Sequence, residues 1–179
     1  MLSHKALLAF DAQHNFLQHI IFAYKAAGID DIVVVKNHAI EIDEKIRDYG
    51  RVKFVENPRP ELGRLFSLKL GIAALKDKFH CFIQNIDNPF VSSDLIRSLI
   101  GVKYHGDYIV PCYRQKGGHP ILVSETILHT LLSATTYEQT LRDLLLPFIR
   151  QNLDVNDERC LWNINTPEDY EKYVVSNNK

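Results

Sequence analysis

Residues 16–35, FLQHIIFAYKAAGIDDIVVV, decide the fold. Apolar side chains at Phe16, Leu17, Ile20, Ile21, Ala23 and Tyr24 recur at helical spacing, so residues 16–27 predict a helix with one apolar face. Gly28 supplies the stop, because glycine takes the left-handed cap without strain. Asp30 and Asp31 then lead into Ile32, Val33, Val34 and Val35, a β-branched run without polar alternation. A strand covered on both faces reads this way, which points to a parallel sheet between layers of helices.

The same alternation continues on the carboxyl side. Residues 40–49 predict a short amphipathic helix closed by Gly50, and residues 52–55 a brief strand. Helix is expected over 65–75 and a second buried strand over 81–86. Another helix is expected over 94–102, with Ser92 or Ser93 as its N-cap. Strands are expected over 108–111 and 119–123, around a turn at Gly117 and Gly118. Helices are then expected over 125–132 and 137–152, a last short strand over 153–155 and a terminal helix over 166–175. The expected fold class is α/β. It is a three-layer sandwich around a mostly parallel, Rossmann-like sheet, formed by residues 1–179 as a single domain. In such folds ligands collect beyond the carboxyl ends of the strands.

Composition narrows the function classes. The chain has 179 residues, 46% of them hydrophobic and 24% charged, with a formal net charge of -1. That balance gives no bulk attraction to nucleic acid or to an anionic membrane. The longest apolar run is too short to span a bilayer. No secretory leader is recognisable, so a cytoplasmic protein is expected. Cys81, Cys112 and Cys160 match no zinc spacing and read as free thiols in a reducing compartment.

Four segments carry polar residues where the fold would present them to a ligand. In QNIDNPFV, residues 84–91, Asp87 follows an apolar strand and precedes a proline two residues on. Two roles are open for it. A carboxylate there can hold a hard cation such as Mg²⁺, whose other ligands are water and phosphate oxygens. Equally, it can cap its own turn. In NINTPEDY, residues 163–170, Thr166, Pro167 and Asp169 make a helix start. Asn163 and Asn165 alternate on one face and remain available to a metal or its water shell. GGHPILV, residues 117–123, places His119 beside a turn. NPRPELGRLFSLKLGI, residues 57–72, is a loop entering a helix, and its backbone amides could meet an anion or a base edge.

Taken in order, these segments resemble the MobA-like branch of the nucleotidyltransferases, which includes enzymes attaching CMP or GMP to the molybdenum cofactor. The likeness covers nearly the whole chain. Lys5-Ala6-Leu7-Leu8 resembles the lysine-led end of the family's signature loop, and residues 16–35 resemble its first helix and second strand. The four polar segments resemble, in turn, its metal-aspartate, closing, Gly-His-Pro and base-side motifs. The resemblance implies the nucleotide-diphospho-sugar transferase fold. It also implies a reaction in which an acceptor phosphate attacks the α-phosphorus of CTP or GTP and pyrophosphate leaves. By the same resemblance Asp87 holds Mg²⁺ with Asn165 near it, where many relatives carry Asp. Lys5 contacts the phosphates, Asn57, Gly63 and Ser67 line the nucleotide site, and His119 shapes the acceptor site. The acceptor would be a small phosphorylated molecule.

One departure stands at the front. The family opens on a buried strand and a loop of the form Leu-Ala-Ala-Gly-x-Ser-x-Arg-Met-Gly. Here Met1 falls on the motif's methionine and Leu2 on its glycine. The expectation is a sheet lacking its first strand and a nucleotide site without its glycine-rich loop. Two origins fit: a start lying upstream of Met1, which the coincidence of methionines favours, or a degenerate domain that binds without turnover. A glycosyltransferase of the related nucleotide-sugar fold would usually carry two acids flanking one residue at the metal strand. Asp87 is followed instead by Asn88 and Pro89.

Overall fold

In the computed structural model the described residues are 5–37, 41, 52–76, 79–135, 137 and 139–175. The helix expected over residues 40–49 lies outside them. Helix α1 (Phe16–Ala26) begins where Asn15 and Gln18 form a reciprocal capping box, each backbone N–H donating to the other's side-chain oxygen at 2.9 Å. It ends at Gly28, whose φ is +87°, while Ile29 N donates back to Tyr24 O at 3.0 Å. The stop read from the sequence is therefore the stop observed.

Strand β1 (Ile32–Asn37) pairs in parallel with β2 (Val52–Asn57), Ile32 opposite Val52 through Asn37 opposite Asn57. Helix α2 (Gly63–Ala74) follows, then β3 (His80–Ile83) and α3 (Ser93–Gly101), whose cap is Ser92. Next come β4 (Tyr108–Tyr113), β5 (Lys116–Gly117), β6 (Ile121–Ser124) and α4 (Glu125–Ser133). The chain closes with α5 (Leu141–Leu145), β7 (Arg150–Asp154) and α6 (Pro167–Tyr170), the last running into a π-helical turn over Glu171–Val175. In the second sheet β6 lies antiparallel between β3 and β4, and β7 joins β4 in parallel with Tyr108 opposite Arg150.

The strands share one polarity apart from β6 and the β5 hairpin arm. Arg64, beyond the carboxyl end of β2, bonds to Asn85, beyond the carboxyl end of β3. At the opposite pole Lys76 N donates to Asp31 Oδ2 at 3.1 Å, just before β1. So β1, β2 and β3 all point the same way, and β6 reverses between β3 and β4. Helices cover both faces, as the three-layer expectation requires. Ile121 and Val123 face the cluster of Leu65, Ile72, Ile127, Leu128 and Leu131, from α2 and α4. Leu122, between them, faces Leu99 of α3 on the other side.

Between β1 and β3 there is no pairing among the described residues. A cavity of about 770 Å³ lies there instead. Residues 32–35 and 80–83 form its sides, Leu17, Ile21 and Tyr24 of α1 one wall, and Leu68, Gly71 and Ile72 of α2 the other. The β-branched run of β1 was expected to be wholly buried. It is half-buried along its length, because one strand edge opens on this slot. The structure thus agrees with the expected gap in the sheet.

Several boundaries differ from the sequence reading. The helix expected over 137–152 shrinks to α5, because Pro147 cannot continue it. Residues 150–154 then alternate between exposed and half-buried positions as β7, where a strand over 153–155 was expected. Strand β3 ends at Ile83, so residues 84–88 form a turn rather than more strand. No described helix is long and apolar enough to cross a membrane. All three cysteines are free.

Candidate active site

The turn after β3 is built by side chains that bond to main chain. Gln84 Nε2 donates to the carbonyls of Asn85 (2.9 Å) and Asn88 (2.7 Å). Asn88 is fully buried, and its Nδ2 donates to the carbonyls of Cys160 (3.1 Å) and Trp162 (2.7 Å). Ile164 N donates to Asp87 O at 2.7 Å. The turn is therefore held by Gln84, Asn88 and the closing segment. The Asp87 carboxylate takes no part: its Oδ1 is buried without a hydrogen-bond partner. A buried, unpartnered carboxylate oxygen is costly and rare.

The closing segment brings its own residues to the same place. Asn165 follows Ile164, and its Oδ1 accepts from Lys5 Nζ at 2.8 Å. Lys5 and Asp87 both line the carboxyl end of the slot. The capping box read at Thr166 is complete, since Asp169 Oδ2 accepts from the N–H groups of Asn165 and Thr166, both at 2.9 Å. Those N–H bonds hold the Asp169 carboxyl below the ordinary Asp range. Asp thus completes the box despite being shorter than Glu or Gln.

His119 reaches the site through Asn85. Asn85 Nδ2 lies 3.3 Å from His119 Nε2 and can only donate, which puts the proton of the neutral ring on Nδ1. That nitrogen is buried without a partner. Burial first, and the Arg64 guanidinium second, push the His119 pKa down, against a smaller upward pull from Asp87. The ring position is fixed by His119 N donating to Cys160 O at 2.9 Å, and by Gly118, where any Cβ would collide with the Cys160 carbonyl.

A second cavity of about 360 Å³ opens beside the carboxyl ends of β1 and β2, lined by Asn57, Gly63, Arg64, Ser67 and neighbours. Gly63 takes φ +78° to turn the chain from a 3₁₀ turn at Pro60–Leu62 into α2, a conformation that favours glycine. Both polar atoms of the Asn57 side chain are engaged. Oδ1 accepts from Arg59 N (2.8 Å) and Nδ2 donates to Ser67 Oγ (2.9 Å). Asn57 therefore shapes this cavity from its wall.

The structure gathers Lys5, Asp87 and Asn165 in one place, Asn57, Gly63 and Ser67 in an adjoining one, and links His119 to the first through Asn85. Sequence reasoning missed Asn85, Asn88 and Arg64. Asn85 and Asn88 lay inside a segment already singled out for Asp87. Arg64 carried a signal of its own: a cation in the first turn of a helix, where the dipole favours anions. No three His, Cys, Asp or Glu side chains converge among the described residues. A cation at Asp87 would then draw most of its shell from water and ligand oxygens, as Mg²⁺ commonly does.

An α/β sandwich whose polar residues cluster beyond its parallel strand ends places its ligand site there. The chain belongs to the MobA-like NTP transferase domain family, which residues 1–154 match. It is therefore a member of a nucleotidyltransferase family. Rv0371c from Mycobacterium tuberculosis H37Rv superposes with a TM-score of 0.80 at 20% identity, over 98% of this chain and 91% of that one. The same protein was also solved as a manganese complex, with a TM-score of 0.75 at 21% identity over 96% and 91% of the two chains. A nucleotidyl transferase from Methanothermobacter matches with a TM-score of 0.78 at 20% identity, over 97% and 85%. HddC from Yersinia pseudotuberculosis, solved with GMP-PN, matches at 0.71 and 15%, over 98% and 90%. At these identities the likeness establishes the nucleotide-diphospho-sugar transferase fold. No curated protein matches the chain in sequence.

Proposed function

We propose that this chain binds a nucleoside triphosphate, CTP or GTP, and transfers its nucleotide to a small phosphorylated acceptor. An acceptor phosphate oxygen would form a bond to the α-phosphorus while the bond to the bridging oxygen breaks, and pyrophosphate leaves. The observation that carries this reading is the Asp87 Oδ1 atom, buried with no partner inside the protein. Asp87 would hold one Mg²⁺ ion, with Asn165, whose Oδ1 accepts from Lys5, near its water shell, and the manganese bound to Rv0371c supports a divalent cation in this fold. When bound, the ion supplies neutralisation of phosphate charge.

The protein's own groups do the rest. Lys5 faces the same space and would contact the phosphates, giving electrostatic stabilisation as charge shifts to the leaving oxygen. Asn57, Gly63 and Ser67 would receive the base and ribose in the smaller cavity. His119, its pKa pushed down by burial, would shape the acceptor side by holding Asn85 rather than by carrying a charge of its own.

A second reading, a nucleotide- or metabolite-binding domain without turnover, is favoured by the slot between β1 and β3. It leaves the space beside Asp87 without loop amides among the described residues. Calorimetry with Mg²⁺ and each triphosphate tests the shared part: the parent should bind and Asp87→Ala should not. Equal binding by both would reduce Asp87 to a turn residue. Pyrophosphate release with candidate acceptors then separates transfer from binding alone.

A further inference from the structure

We propose that Arg64 is the residue that grips the phosphate chain of the nucleotide, spanning the gap between the base cavity and Asp87. The proposal rests on the nucleotide reading above. Val35, Arg64 and Ser67 line both cavities, and Arg64 is the one cation of the three. A ligand with its base in the smaller cavity and its phosphates at Asp87 must pass this junction.

The surroundings of Arg64 fit an anion that the free protein does not supply. Its guanidinium donates to the neutral amide oxygen of Asn85, and it forms no ion pair among the described residues. Arg59, Arg97 and Arg159 each hold a carboxylate, while Arg64, like Arg114, Arg142 and Arg150, holds none among the described residues. Arg64 also stands in the first turn of α2, which contains no acidic residue. The helix dipole disfavours a cation there, whereas an anion at the same spot is attracted by both the dipole and the guanidinium. Asn85 holds the fork of the guanidinium from one side and leaves other donors free, the geometry that suits phosphate oxygens.

Arg64 and Lys5 thus flank the Asp87 turn from two directions, one through Asn85 and the other through Asn165. Lys5, Arg64 and Asp87 all line the larger cavity, so a phosphate chain bound there would meet both cations. A lysine at position 64 would keep the charge but lose the fork.

The test compares the parent with Arg64→Ala and Arg64→Lys, with triphosphates titrated by calorimetry and the matching nucleosides by NMR. Arg64→Ala should weaken triphosphate binding by roughly tenfold or more, as expected for a charge-assisted contact at a partly solvated site. It should leave nucleoside binding within about twofold of the parent, and Arg64→Lys should recover part of the loss. Equal triphosphate binding by parent and Arg64→Ala overturns the proposal. So does an equal loss for nucleoside and triphosphate, which would make Arg64 a wall of the base cavity. A parent that binds no triphosphate sinks the nucleotide reading itself, a different result from either.

Discussion

Replacing Asp87 with Asn should make the metal-free protein more stable and the metal-loaded protein less so. The carboxylate Oδ1 is buried and unpartnered. Leaving a buried polar atom unsatisfied costs about 1–3 kcal/mol, more when it is charged. An amide of the same shape keeps the packing and drops the charge but leaves a polar atom at the same spot, so a gain of up to about 1 kcal/mol is expected in chelator. For a domain of this size that raises Tm by up to about 4 °C. With a divalent ion and nucleotide at about 100 times their Kd, the parent gains about 2.7 kcal/mol that the variant does not, and the order reverses. Thermal unfolding of both proteins, in EDTA and then in MgCl₂ with CTP or GTP, reads the crossing. A variant less stable than its parent in EDTA would mean that the carboxylate is satisfied inside the protein, and the reasoning would be wrong.

Further expectations follow from local structure. His19, His80 and His119 all have pKa values pushed down, by burial first in each case. The unfolded chain therefore binds more protons below its ordinary imidazole pKa, and stability, full above about pH 6.5, should fall as pH drops toward the folded values. A urea midpoint that rises on acidification from about pH 7.5 to 5.5 would contradict this sign. Gly118→Ala should destabilise by about 1–3 kcal/mol, because the atoms nearest the new Cβ are those of the Cys160 carbonyl, which cannot turn away as a side chain can. A urea midpoint equal to the parent's would show that the loop yields. Arg114 and Gln115 carry φ of +47° and +67° in the two-residue turn between β4 and β5. Gln115→Gly should relieve strain and add about 0.5 kcal/mol of stability in the same assay, and a loss would refute it.

Local features were legible in the sequence because their causes are local. The run from Phe16 to Val35 gave α1, its stop at Gly28 and β1 in place, and Thr166 with Asp169 gave the last capping box. Tertiary causes were hidden. The half-burial of β1 depends on an edge opening on a slot walled by α1 and α2, which no window of 20 residues contains. Residues 150–154 became a strand because β4 offers them a parallel partner, and Pro147 was the overlooked sign that the helix must end first. Asp87 could be placed near the strand ends from its motif. Whether it caps its turn depends on Asn88 and Ile164, whose partners lie about 75 residues away in sequence. Arg64 was hidden for the same reason, since its meaning comes from Asn85 and from two cavities that meet beside it.

The most direct measurement is anomalous scattering from crystals grown with Mn²⁺ and a non-hydrolysable CTP or GTP analogue. The account predicts one peak about 2.1 Å from an Asp87 carboxylate oxygen, with phosphate density between Lys5 and Arg64. A nucleotide bound elsewhere, or one bound here with no metal at Asp87, would contradict it.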